Sequence, residues 1–194
     1  MGAIDKGWLP NLLRFFNNNK QEKEMGMYPG GNIIKITPTV TADTYGATDV
    51  IFDKQEIPNI VPSRGGTSLL RNVSVHADVS TDVDLAILFF DNSTSVGAVP
   101  NNATTAINDA EFQAAGFIGG MNLDGGENAI SIGNGLLYMS SLGNASAGAV
   151  GNLPLLLSAA AGETSIWFTA HTLSGTPTYD ANSLSFTFNV EYLG

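Results

Sequence analysis

The constraint that narrows the possible folds most is strict two-residue alternation. Val73, Val75, Ala77 and Val79 interleave with Ser74, His76, Asp78 and Ser80. Near the end of the chain, Leu184, Phe186, Phe188, Val190 and Tyr192 interleave with Ser185, Thr187, Asn189 and Glu191. Side chains of a strand point alternately to its two faces, so each run buries one face and wets the other. Ile166, Phe168 and Ala170 alternate with Trp167, Thr169 and His171 in the same way. Leu85–Phe90 is apolar at every position, the pattern of a central strand covered on both sides.

Turn signals separate these runs, at Pro58, Pro62, Asp91-Asn92-Ser93, Gly162-Glu163 and Ser174-Gly175-Thr176-Pro177. Further strands are expected at Ile34–Val40 with a break at Pro38, at Val50–Phe52, at Glu56–Val61, and near 117–121, 129–132, 136–142 and 153–157. One helix is expected in the body, over 108–115, where Asn108 can cap, Glu111 stands three residues on and Gly116 stops the helix. Many short strands with frequent turns predict an all-β chain, an antiparallel β-sandwich of jelly-roll-like form, rather than βαβ units. No repeat of the kind that builds solenoids or propellers is visible.

The first 31 residues differ from the rest. Ile4, Trp8, Leu12, Phe15 and Phe16 fall near one face at helical spacing, and Pro10 suits a first turn, which places a short helix at about 10–16. Asn17-Asn18-Asn19 and then Tyr28-Pro29-Gly30-Gly31 punctuate the segment. The expected organisation is an N-terminal helical arm and linker over 1–31 and a β-sandwich domain over 32–194. The arm's apolar face can fold back on its own sandwich or dock on a neighbouring subunit. A membrane anchor fits poorly, with Arg14 the one basic residue in the helix.

Charge is sparse and uneven. Charged residues make up 13% of the chain, against about 25% in ordinary globular domains, and the net charge is −10. Residues 1–71 hold all eight basic residues and seven acidic ones; residues 72–194 hold eleven acidic residues and no basic one. Nucleic-acid binding needs a basic stripe to displace counterions, which two thirds of the chain lacks. Weakly charged surfaces suit contacts between proteins, whose interface cores are depleted in charge.

Chemistry is thinly provided for. With no cysteine, disulfides, thiolate metal sites and cysteine nucleophiles are excluded. No apolar run is long enough to span a membrane, and the start lacks the pattern of a signal peptide. His76 and His171 are the only histidines, each on the polar face of an alternating strand, and a joint site would need them on one sheet face. Asp78, Asp82 and Asp84 crowd one turn and could hold a calcium ion with backbone carbonyls, but no twelve-residue loop with a closing Glu surrounds them. Asp124-Gly125-Gly126-Glu127 reads as an acidic turn. No phosphate-binding loop, dinucleotide fingerprint, G-x-S-x-G or H-E-x-x-H occurs. The N-x-S/T sequons at Asn72, Asn92, Asn102 and Asn144 are what chance provides in a chain this rich in Asn, Ser and Thr. No catalytic set, cofactor or metal is therefore expected. Trp167, pointing away from the Ile166 and Phe168 side, is a candidate interface anchor, a member of a second packed layer, or a sugar platform.

One set of landmarks resembles a known group. Thr41–Val50 is followed by Glu56-Ile57-Pro58-Asn59, by Gly65–Leu70 leading into a strand, by Asp84–Asp91, and by a helix opening Ile107-Asn108-Asp109. Gly162–Trp167 and Gly175–Tyr179 come later. Over about 40–192 this order resembles small head-associated virion structural proteins of tailed bacteriophages, the capsid decoration or cement proteins. The resemblance implies jelly-roll-like subunits, often homotrimers, made in the host cytoplasm and added to the outer surface of the head. It implies a major capsid protein as partner, with no enzymatic activity, nucleic acid or membrane involved. On that reading Trp8, Leu12, Phe15, Phe16, Arg64, Arg71 and Trp167 are candidate capsid or subunit interface residues. The alternatives are a tail, fibre or glycan-binding receptor module, and a secreted glycan-active enzyme, against which the sparse histidines and missing secretion signal count.

Overall fold

A computed structural model of the chain describes residues 30–79, 81, 83–96, 109–140 and 153–193. The expected arm helix, the Asn108 cap and Asp82 lie outside the described residues. The strands are β1 (Gly31–Ile36), β2 (Asp43–Thr44), β3 (Val50–Ile57), β4 (Thr67–Ala77), β5 (Leu85–Phe90), β6 (Phe117–Leu123), β7 (Ala129–Ile132), β8 (Gly135–Met139), β9 (Leu155–Ser158), β10 (Ile166–Thr172), β11 (Thr178–Tyr179) and β12 (Leu184–Leu193). Two short helices, α1 (Asp109–Ala114) and α2 (Gly125–Asn128), flank β6.

These strands build two facing antiparallel sheets. The larger runs β1-β12-β4-β8-β7, with β9 also on β4; the smaller runs β3-β10-β5-β6; β2 and β11 form a separate ribbon. Taking the eight principal strands in chain order, the first pairs with the last (β1 with β12) and the second with the seventh (β3 with β10). The third pairs with the sixth (β4 with β8) and the fourth with the fifth (β5 with β6). That nested pairing is a long antiparallel ribbon rolled over on itself, the jelly roll, and it confirms the fold class expected from the alternation.

The inward-facing residues meet as the alternation requires. Phe52, Phe168, Phe186 and Phe188 cross between the sheets with ring centroids 5.0 to 5.6 Å apart in mostly edge-on contacts, an arrangement that aligns ring edges with ring faces. Ile34, Val73, Val75, Ile87, Leu123 and Tyr138 complete the same core.

Three expectations need correcting. The two strands foreseen at 50–52 and 56–61 are one strand, β3, which continues through Asp53-Lys54-Gln55 and ends at Ile57, just before Pro58. Its polar centre is accommodated because the outer side of that sheet is itself covered, as described below. The alternating run expected at 73–79 begins in the second half of an eleven-residue strand that runs from Thr67 to Ala77, so Val79 falls beyond its end. A bulge at Arg71 resets its register, pairing Asn189 with Asn72 but Val190 with Leu70, so alternation read from the sequence breaks there. The Asp124–Glu127 turn closes into α2, capped by the Asp124 carboxylate accepting from the Gly126 and Glu127 amides.

Candidate interaction surfaces

The two outer faces of the sandwich are finished differently. Outside the smaller sheet, Phe90 of β5 is buried by the chain's own return. Val96 and Ala115 close over it together with Val50, and Phe112 of α1, Leu88 and Trp167 pack around them. Phe90, Phe112 and Phe117 form a ring trio with centroid separations of 5.0 to 5.9 Å. Lys54 fastens this cover. Its ammonium donates to the carbonyls of Asn92 and Ala115, each at 3.0 Å, and sits 4.1 Å from the centroid of the Phe90 ring. Burial pushes Lys54 down to about 8, opposed by the neighbouring Asp53 and Asp91 carboxylates.

The outer face of the larger sheet has no such cover among the described residues. Directly opposed residues of antiparallel strands share a face, so its rungs can be read from the register. Lys35, Thr187, Ser74 and Met139 form one rung, and Ser185, His76, Leu137 and Ile130 another. Ile33 sits beside Asn189 and Asn72, and Leu69 beside Leu156. Ile33, Ile130, Ile132, Met139 and Leu156 are between 40% and 72% exposed. The face thus carries exposed apolar residues at both edges, with Lys35 beside Ile33 on β1, small polar residues between them, and the Arg71–Glu191 pair toward one end. Scattered exposed apolar residues are ordinary; a group on one sheet face marks a contact surface.

The candidate residues from the sequence are dispersed over this frame. His76 is exposed on the outer face of the larger sheet, whereas His171 lies on the outer face of the smaller one, opposite Val50 and Ala86. The two histidines are therefore on opposite sides of the sandwich and form no joint site. His171 is also not a solvent-facing residue: burial lowers its pKa, and its Nε2 has no hydrogen-bond partner among the described residues. The Asp84 carboxylate accepts from the Gly125 amide and from the Ser174 hydroxyl, each at 2.9 Å, so it braces three loops. Among the described residues no group of three His, Asp or Glu is placed to hold a metal ion.

Trp167 points outward as the alternation requires but is half-buried against the second cluster. A free sugar platform would need a ring face open to solvent. Arg71 pairs with Glu191 of the neighbouring strand, its Nε donating at 2.6 Å, whereas Arg64 is exposed on the turn between β3 and β4. Trp8, Leu12, Phe15 and Phe16 lie outside the described residues. Sequence reasoning missed the bare face itself. Its signal was available as apolar residues on the polar side of their strands, Ile33 and Leu156 above all, but which side faces out depends on distant pairing.

No protein-family model matches the chain, and no curated protein matches it in sequence. Among solved structures it is similar to a chain of Tomato Aspermy Virus, at 9% identity over 94% of this chain and 93% of that one, with a TM-score of 0.34. It is similar also to a chain of the semi-empty virus-like particle of giant freshwater prawn Macrobrachium rosenbergii nodavirus, at 7% identity over 84% and 94%, TM-score 0.31. A third is the Tobacco streak virus coat protein, at 9% identity over 85% and 89%, TM-score 0.26. None of these three is from a tailed bacteriophage. Likeness at such TM-scores carries no functional argument; the jelly roll rests on the strand pairing of this chain alone.

Proposed function

We propose that the protein is a virion structural protein that works through its surfaces, and more specifically a decoration or cement protein on the outer surface of a phage head. The observation that supports this best is the unequal finish of the sandwich, with one sheet face sealed by the chain and the other bearing exposed apolar residues with no cover among the described residues. A sheet face of that kind is an assembly surface. The jelly roll serves many functions, viral capsid and lectin domains among them, so the fold alone would not decide.

The mechanism needs no active site. A protein that binds an assembled shell and not its free subunits stabilises the shell by mass action. Repetition around the particle turns modest contacts into high avidity. In this reading the chain acts as a homo-oligomer, a trimer for preference, with the major capsid protein as partner. The apolar residues Trp8, Leu12, Phe15 and Phe16 supply assembly contacts, and the exposed Arg64 is available to shell carboxylates. Arg71 contributes through its pair with Glu191, and Trp167 through packing behind the surface.

Analytical ultracentrifugation of the full chain, alone and mixed with empty heads, tests the proposal. A stable oligomer that co-sediments with heads is expected. A monomer that ignores heads overturns it, and glycan binding by that monomer would shift the reading to a receptor-binding module.

A further inference from the structure

We infer that the bare outer face of the larger sheet is the seat of residues 1–29 of a second copy of this chain, so that copies are joined by exchange of their N-terminal segments. The inference rests on the assembly reading above and names the partner of that face.

The first support is the layer rule. A sheet with one exposed apolar face is stable once another element packs on it. The smaller sheet receives α1 and the loop after β5. The larger sheet receives nothing among the described residues, yet Ile33, Met139, Ile130 and Leu156 project from it. Of the segments outside the described residues, the N-terminal stretch is the longest and the richest in large apolar residues, with Ile4, Trp8, Leu12, Phe15 and Phe16 at helical spacing. Their recurrence along one stripe suits a helix laid on a sheet.

The second support is where that segment joins the body. It enters at β1, the edge strand of this same sheet. The Gly30 carbonyl still accepts from the Tyr192 amide at 2.7 Å, one step beyond the β1–β12 ladder. Gly31 is pressed against β12 there, since a Cβ on it would come within 2.8 Å of the Val190 carbonyl oxygen. The segment therefore joins the body at an edge strand and at one end of the sheet, the end where β12 finishes and β4 begins, a corner from which a neighbouring copy is within reach. Twenty-nine residues extend to roughly 95 Å, whereas the face is about 19 Å across its four strand spacings, so reach to a neighbour is ample.

The third support is charge. The segment carries Lys6, Arg14, Lys20 and Lys23, half of the basic residues in the chain, against Asp5, Glu22 and Glu24, a net +1 beside a strongly acidic body. The hairpin edge of the face is bordered by Asp78, Asp124 and Glu127, and no Lys or Arg follows Arg71. An arm from one copy thus meets the face of the next with apolar residues on the stripe and cations toward its acidic border. Such a head-to-tail contact closes into a ring when the rotation permits, consistent with a trimer.

The absence of native cysteine makes the test direct. Asn11→Cys is placed in one full-length preparation and Ser74→Cys, at the centre of the outer face, in another; both leave the apolar residues intact. The two are mixed, allowed to exchange and oxidised or bridged with a short bis-maleimide. A cross-linked species containing one chain of each kind is expected. Glu111→Cys, on α1 over the smaller sheet and so on the opposite side of the sandwich, serves as control partner and is expected to give none. Ile130→Lys with Ile132→Lys in the Ser74→Cys chain is expected to cut the yield about tenfold, the effect of about 1.4 kcal/mol. No cross-link between Asn11→Cys and Ser74→Cys chains, or a yield no higher than with the control partner, overturns the inference. Oligomers that still co-sediment with heads in that event would leave the assembly reading standing, which separates the two failures.

Discussion

At the scale of single residues, Lys54 shows how burial and partnering compete. Its ammonium is held by two carbonyls and a ring face, all of which favour the charged form, while removal from water disfavours it strongly enough to bring the pKa to about 8 from 10.5. The sign of the pH effect follows. Between about 8 and 10.5 the unfolded chain keeps a proton that the folded chain has released, so stability rises with pH across that window. Lys54→Met removes this dependence and leaves the Asn92 and Ala115 carbonyls without their donor, at a cost of about 1 kcal/mol. Urea titrations at pH 7 and pH 9.5 check it: the stability gap between wild type and variant is expected to widen at the higher pH. A gap that stays constant would mean that the two carbonyls and the ring fully offset the burial. Comparing the two proteins cancels the tyrosines, whose raised values at Tyr45 and Tyr179 act on both alike.

Among the elements, the cover over Phe90 depends on how α1 ends. Gly116 has φ of +66°, and a side chain there would run into the Asp91 carboxylate. Glycine adopts that left-handed conformation without strain and is the common residue after a helix C-terminus. Gly116→Ala is expected to destabilise the protein by about 1–3 kcal/mol and to increase the exposure of Phe112 and Phe117, read by thermal melting and by hydrogen exchange of the α1 amides. This helix stop was legible in the sequence, as were β5, β10 and β12, because glycine and two-residue alternation are local signals. The continuity of β3 was not, since Asp53-Lys54-Gln55 looks like a break until Lys54 is seen to fasten a cover made of residues some 40 to 60 positions away. The same holds for Trp167, whose outward direction follows from alternation but whose shelter comes from Val96 and Ala115. The tandem placement of β8 and β9 on one edge of β4 has no local signal either, being fixed by pairing between distant segments.

For the molecule as a whole, the nested strand pairing sorts the charge. The loops 37–49, 78–84, 124–134 and 173–183, which join the strands at one end of the sandwich, carry among the described residues Asp43, Asp49, Asp78, Asp84, Asp124, Glu127 and Asp180 and no Lys, Arg or His. The opposite end mixes signs, with the exposed Arg64 and the Arg71–Glu191 pair beside Asp91, Glu111 and Glu163. Like charges gathered at one end repel within a copy and between copies that meet there, so this end is suited to face away from an assembly. The repulsion is screened by salt, whereas burial of Ile33, Ile130 and Leu156 at a contact is not. Raising ionic strength from about 0.01 M to about 1 M shortens the Debye length from about 30 Å to about 3 Å. The thermal midpoint of the full chain is therefore expected to rise by several degrees over that range, and self-association, followed by sedimentation, to strengthen or hold. Dissociation in salt would mean instead that contacts between the basic arm and acidic body dominate the apolar ones. Neutralising Asp78, Asp124 and Glu127 to Asn and Gln separates the two contributions, because it is expected to reproduce the salt-driven rise in midpoint at low salt if repulsion at this end is its source.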